Sequence, residues 1–146
     1  MNLPKDLQPV VELIHRALLK TGQQPDQIRD DKQENEARWK YLHGSAPIEI
    51  RLFKHPDSDS WYIEVSSAFM ELPPLSRRPE FYEQLLRLNL RYPAVTFAID
   101  DTQALLKSDR EVRGLDVREL SMMLHRISLI SDHYDDQLRL RYNEAQ

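Results

Sequence analysis

The segment ISDHYDDQL, residues 130–138, sets Asp132, His133, Asp135 and Asp136 within five consecutive positions. Imidazole and carboxylates at that density are the raw material of a divalent-metal site or a general acid/base pair. A metal centre also needs three or four ligands converging from rigid positions. Advancing about 100° per residue, Leu120, Met123, Leu124, Ile127, Ile130, Tyr134 and Leu138 fall on one stripe of a helix. Asp132 and Asp136 then project roughly 140–180° from that stripe, towards water. His133 has only Asp136 within reach, three residues on, and Asp135 and Asp136 are spaced to pair with Arg139. Charged residues opposite an apolar stripe are ordinary, so the cluster reads as a solvated face. The competing reading is a small metal-dependent hydrolase built on Asp132, His133 and Asp136 with His125.

Other catalytic patterns are missing. The five histidines, His15, His43, His55, His125 and His133, never take HxxxH or HExxH spacing. His43 and His55 border turns, where a structural or solvent role is the simpler one. Ser66 and Ser67 lack a GxSxG context, and three glycines cannot build a phosphate-cradling loop. With no cysteine there is no disulfide, zinc–thiolate site or thiol nucleophile. The reading therefore assigns no catalytic residue, no metal and no cofactor.

The elements that position these residues follow from periodicity. Asp6, Pro9 and the spacing of Leu7, Val10, Val11, Ile14, Ala17 and Leu18 predict an amphipathic first helix that stops near Gly22. Residues 23–36 read as an exposed connection with Ile28 as its one sizeable apolar side chain. Alternation predicts strands over 37–43, 48–53 and 61–66, joined by turns at HGSAP and HPDSDS. A second helix begins near Pro79, buries Phe81, Tyr82, Leu85, Leu86 and Leu88, and ends before Pro93. Its arginines, Arg77, Arg78, Arg87 and Arg91, read as a solvated face. Strands over 95–99 and 105–108 follow. Asp116 three residues before Glu119 is a capping-box spacing that opens a last helix, 117–142. The order is α-β-β-β-α-β-β-α, an α+β fold with an antiparallel sheet packed against helices in a single domain, 1–146.

Two apolar features stand outside this pattern. Met122, Leu129 and Leu140 form a second strip on the last helix, beside Arg126 and His133, and are candidates for self-association. The connection SSAFMELPPL, 66–75, offers Phe69 and Met70, with Trp61, as contacts for an extended peptide; plugging the end of the core is the plainer role.

Two further stretches carry a family resemblance. LLRLNLRYPAVTFAIDDTQALLKS, 85–108, is a helix ending near an asparagine, then a hairpin closing in a Leu-Leu-Lys-Ser strand. REVRGLDVRELSMMLHRISLISDHYDDQL, 110–138, has Gly-Leu-Asp leading into a long helix with an acidic end. In these the chain resembles the YbjN-like family, whose fold is similar to that of type III secretion chaperones. The resemblance implies a small, acidic, non-enzymatic bacterial protein of the cytoplasm, often dimeric, with a regulatory or chaperone-like role. Related chaperones hold their substrates in extended form.

The expectation is a protein-interaction or regulatory module that binds a partner polypeptide, with a homodimer as its candidate assembly. A net charge of −4 argues against a nucleic-acid binder, and charges interrupt every apolar run long enough to enter a membrane. A domain sensing a small ligand between sheet and helices is a third reading that the residues neither favour nor oppose.

Overall fold

A computed structural model describes residues 3–143. Helix α1 spans Gln8–Lys20, followed by a single helical turn α2, Pro25–Ile28. The strands are β1 Arg29–Asp30, β2 Glu36–His43, β3 Ala46–Lys54, β4 Trp61–Glu71, β5 Thr96–Asp100 and β6 Gln103–Glu111. Helix α3, Arg78–Arg91, lies between β4 and β5, and α4, Val117–Tyr142, closes the chain. One antiparallel sheet holds all six strands in the order β1-β2-β3-β4-β6-β5.

The α+β class and the order of the principal elements agree with the sequence reading. Residues 23–36 are more structured than expected, since α2 and β1 both fall there and Pro25 is buried. The larger correction concerns 66–75. Strand β4 runs on to Glu71, so Phe69 and Met70 belong to the sheet rather than to a connection. A register shift between Ala68 and Met70 inserts an extra residue against β6, and both Phe69 and Met70 turn inward there. A bulge breaks period-two alternation, and this break is what made the segment look irregular.

Helices α1 and α4 pack on one face of the sheet. That face carries Ala37, Trp39 and Tyr41 from β2, and Ile48, Ile50 and Leu52 from β3. Ile63, Val65 and Phe69 from β4 and Leu106 from β6 complete it. Register aligns Trp39 with Ile50 and Ile50 with Val65, so the apolar side chains form rows across the strands. The hairpin from His43 to Ala46 turns on Gly44 at φ +61°, a conformation that a side chain would disfavour. Asp116 caps α4 by accepting the Glu119 N–H at 2.8 Å, as its spacing predicts.

The other face is a lattice of charges. Arg38 meets Glu36 at 2.5 Å and Glu49 at 3.2 Å, Arg51 meets Glu64 at 3.5 Å, and Lys107 bridges Glu64 and Asp109. Helix α3 sits at the β5 end, burying Phe81, Leu85 and Leu88. Leu86 was expected inside but is 68% exposed, and Tyr82 is half-buried. Strand β5 and the Tyr142 end of α4 together cover only the narrower Phe81–Leu85–Leu88 stripe, leaving the adjacent positions outside.

Beneath α1, the His15 ring stands edge-on to Trp39 at 5.8 Å, and its Nε2 finds no hydrogen-bond partner. Burial lowers the imidazole pKa below the ordinary 6.5, with Asp26 opposing, Arg29 reinforcing and Glu12 opposing more weakly. The folded state therefore favours the neutral ring. Below pH 6.5 the unfolded chain binds the proton first, so this stabilisation is complete above that pH and is lost as pH falls towards the folded value. Between about pH 7 and about pH 5.5, wild type should lose more stability in urea denaturation than His15→Gln does. Equal losses would mean that the imidazole is not the sensor.

Candidate functional site

The acidic segment of α4 faces as its spacing predicts, apart from one residue. Asp132, His133 and Asp136 are exposed, and Asp136 pairs with Arg139 at 3.2 Å. His133 lies against the Tyr134 ring at 4.6 Å. Asp135 instead turns inward, and its Oδ1 accepts the Asp136 N–H at 2.6 Å. It joins Ser128 and Ser131 on a polar ridge of the buried face, where Ser131 shares a 2.9 Å hydrogen bond with Ser67 of β4. Arg139 reaches past Asp135 to donate to the Phe69 carbonyl at 3.2 Å. Among the described residues no three His, Asp or Glu side chains gather where an ion would bind. His125 is two helical turns from Asp132, roughly 10 Å along the axis, and does not join the cluster.

The peptide-contact candidates are not brought together. Phe69 and Met70 are only 3% and 5% exposed, while half-buried Trp61 opens the strand at its other end. At ~3.3 Å per residue they stand nearly 30 Å apart. Phe69 packs edge-on to Phe97 at 6.1 Å, so it fills the core and forms no lip.

The second strip of α4 is present and divided. Met122 and Leu129 are 50% and 61% exposed and line one groove, with Arg126 between them. Leu140, also exposed, lies about 16 Å further along the helix and outside that groove. The groove, about 730 Å³, runs between the end of α1, the end of β2 and the first half of α4. Ala17, Tyr41 and Leu124 contribute its apolar floor, and Lys20, Thr21, His43, Arg118 and Ser121 help form its walls. Burial raises the Tyr41 hydroxyl pKa, opposed by a hydrogen bond with Thr21. Thr21 in turn donates to the Leu18 carbonyl at 2.7 Å and so helps end α1 at the rim.

A strand edge borders this groove. Strand β1 is registered only with Arg38 and Trp39, so the outer side of β2 from Lys40 to His43 has no strand beside it among the described residues. The opposite edge is handled differently: Asn89 of α3 bonds both the N–H and the C=O of Phe97 in β5. A second cavity, about 670 Å³, lies over the charged sheet face, where Arg38, Glu49, Arg51 and Glu64 already satisfy one another.

The α4 half of the groove was legible in part, as Met122 and Leu129 with Arg126 beside them. Nothing in the sequence places Lys20, Thr21, Tyr41 and His43 opposite it, because the sheet register and the α1–α4 packing bring them there.

No protein-family model matches the chain, and no curated protein does either. Solved structures do. A chain of the heterodimeric ExoU–SpcU complex from the type III secretion system of Pseudomonas aeruginosa superposes with a TM-score of 0.53 at 16% identity. The match covers 84% of this chain and 95% of that one. The Yersinia pestis type III secretion chaperone SycH, solved with a stable fragment of YscM2, gives 0.53 at 15% identity over 84% and 97%. A chain of the ExsC–ExsE complex gives 0.53 at 11% identity over 86% and 93%. The fold is that of a type III secretion chaperone. At these identities the likeness is one of fold.

Proposed function

We propose that this protein is a chaperone-like binding module of the YbjN-like type, acting by holding a segment of a partner polypeptide rather than by catalysis. The segment lies between α1 and α4 and takes main-chain hydrogen bonds from Lys40–His43. One observation carries this: an apolar groove and a length of strand edge that β1 does not pair lie side by side, the two features that strand addition uses for specificity and affinity. The similar solved structures support it, since each comes from a complex with a partner protein. Self-association through Met122 and Leu129 would use the same groove. Partner binding is the better reading because Leu140, the third member of the expected dimer strip, is set apart from them.

The test is capture from cell extract on the immobilised full chain, with Met122→Asp/Leu129→Asp as the comparison. Wild type should retain polypeptides that the double variant loses. Hydrogen exchange in the captured complex should show new protection at Lys40–His43. Identical retention by both chains would reject the groove as the binding site.

A further inference from the structure

The charged side chains that line this groove are all of one sign. On the open sheet face Arg38, Lys40, Arg51 and Lys107 are all tied to Glu or Asp. Arg87 and Arg139 pair within their own helices, and Arg141 reaches Glu80. Lys20, Arg118 and Arg126 form no ion pair among the described residues, and no aspartate or glutamate lines the walls. His43 and His125 add two further nitrogen-bearing rings to the rim. This local positive excess stands on a chain whose net charge is −4.

The spacing adds a second constraint. Arg118, Met122, Arg126 and Leu129 succeed one another on α4 at intervals of four, four and three residues. They form one line of alternating cation and apolar side chain, about 16 Å long. The apolar floor lowers the local dielectric and strengthens the field of the cations, so the groove favours an anionic occupant over a neutral one. A free anion would leave the apolar floor unused. A flat anionic bilayer would meet the rim without filling the recess. A polypeptide carrying both kinds of side chain satisfies floor and rim together.

Building on the partner-binding reading above, we infer that the groove selects a partner segment in which large apolar side chains are interleaved with aspartate or glutamate. The apolar side chains lie on Ala17, Tyr41, Met122 and Leu129, and the carboxylates meet Lys20, Arg118 and Arg126.

Two labelled peptides, each long enough to span the groove and sharing one leucine–methionine pattern, test this by fluorescence anisotropy with the full chain. One carries glutamates and the other lysines at the intervening positions. The glutamate peptide should bind at least roughly tenfold more tightly, as two or three partly exposed ion pairs would give. Added salt should narrow the gap. Arg118→Glu/Arg126→Glu should reverse the preference while keeping the wild-type circular dichroism spectrum. Lys20→Glu, on the other helix, gives the same readout should the α4 variant misfold.

Equal affinity for the two peptides would overturn the inference, as would an unchanged preference in the charge-reversed chains. So would tighter binding to phosphatidylglycerol vesicles than to the glutamate peptide, or a dimer that Met122→Asp splits and that excludes both peptides. Failure here is separable from failure of the partner-binding reading. If charge reversal leaves extract capture intact while Met122→Asp/Leu129→Asp abolishes it, the groove binds partners without selecting acidic ones. If no variant alters capture, both readings fall.

Discussion

Trp39→Ala should destabilise the protein by about 3–5 kcal/mol, a large share of the stability of a domain this size. Trp39 is fully buried in β2, aligned with Ile50 on β3, with His15 edge-on to its ring and the Arg29 guanidinium 5.3 Å from its centre. Truncation leaves a void enclosed by the sheet and by α1, whose backbone cannot collapse far into it. The indole N–H has no hydrogen-bond partner among the described residues, so the aromatic body supplies the stabilisation and the polar edge does not. Trp39→Phe should therefore cost much less, about 1–2 kcal/mol, from lost volume alone. Urea denaturation followed by circular dichroism measures both. Similar losses for the two variants would mean that the nitrogen, not the ring volume, is what the site uses.

Asn89→Ala is expected to cost about 2 kcal/mol, although the residue is polar and half-buried. Its Oδ1 accepts the Phe97 N–H at 2.5 Å and its Nδ2 donates to the Phe97 carbonyl at 3.1 Å. One side chain thus occupies both outward-facing groups of an edge-strand residue, as a neighbouring strand would. Alanine leaves the two backbone groups without these partners and opens the edge to pairing with another chain. The variant should unfold earlier and scatter more light on concentration. The control is Leu90→Ala: Leu90 is almost wholly exposed and should shift stability by no more than about 0.5 kcal/mol. If the two variants behave alike, the Asn89 bridge has no structural role.

These two residues differ in how far the sequence announces them. Trp39 stands in an alternating run with Ala37 and Tyr41, and alternation alone places it on the buried face of a strand. Asn89 shows itself only as an asparagine near a helix end. Its role depends on α3 lying beside β5 at one register, a relation between segments that no local pattern encodes. The bulge at Phe69 and Met70 is similar. Alternation fails there because the bulge buries two successive side chains, and a reading limited to local period mistakes a sheet residue for a loop residue.

By itself, the sequence determined the helices at both ends, the three-strand meander, the later hairpin and the outward face of Asp132, His133 and Asp136. Each of these rests on periodicity or capping chemistry within a short span of chain. Tertiary structure decided that Asp135 turns inward, that Leu86 stays outside, and that Lys20, Tyr41 and His43 face Arg118, Met122 and Leu129 across a groove. Those outcomes depend on which elements pack together and how much of each helix a neighbour covers. The balance of burial over the whole molecule sets both, and the order of residues along one helix or strand does not reveal them.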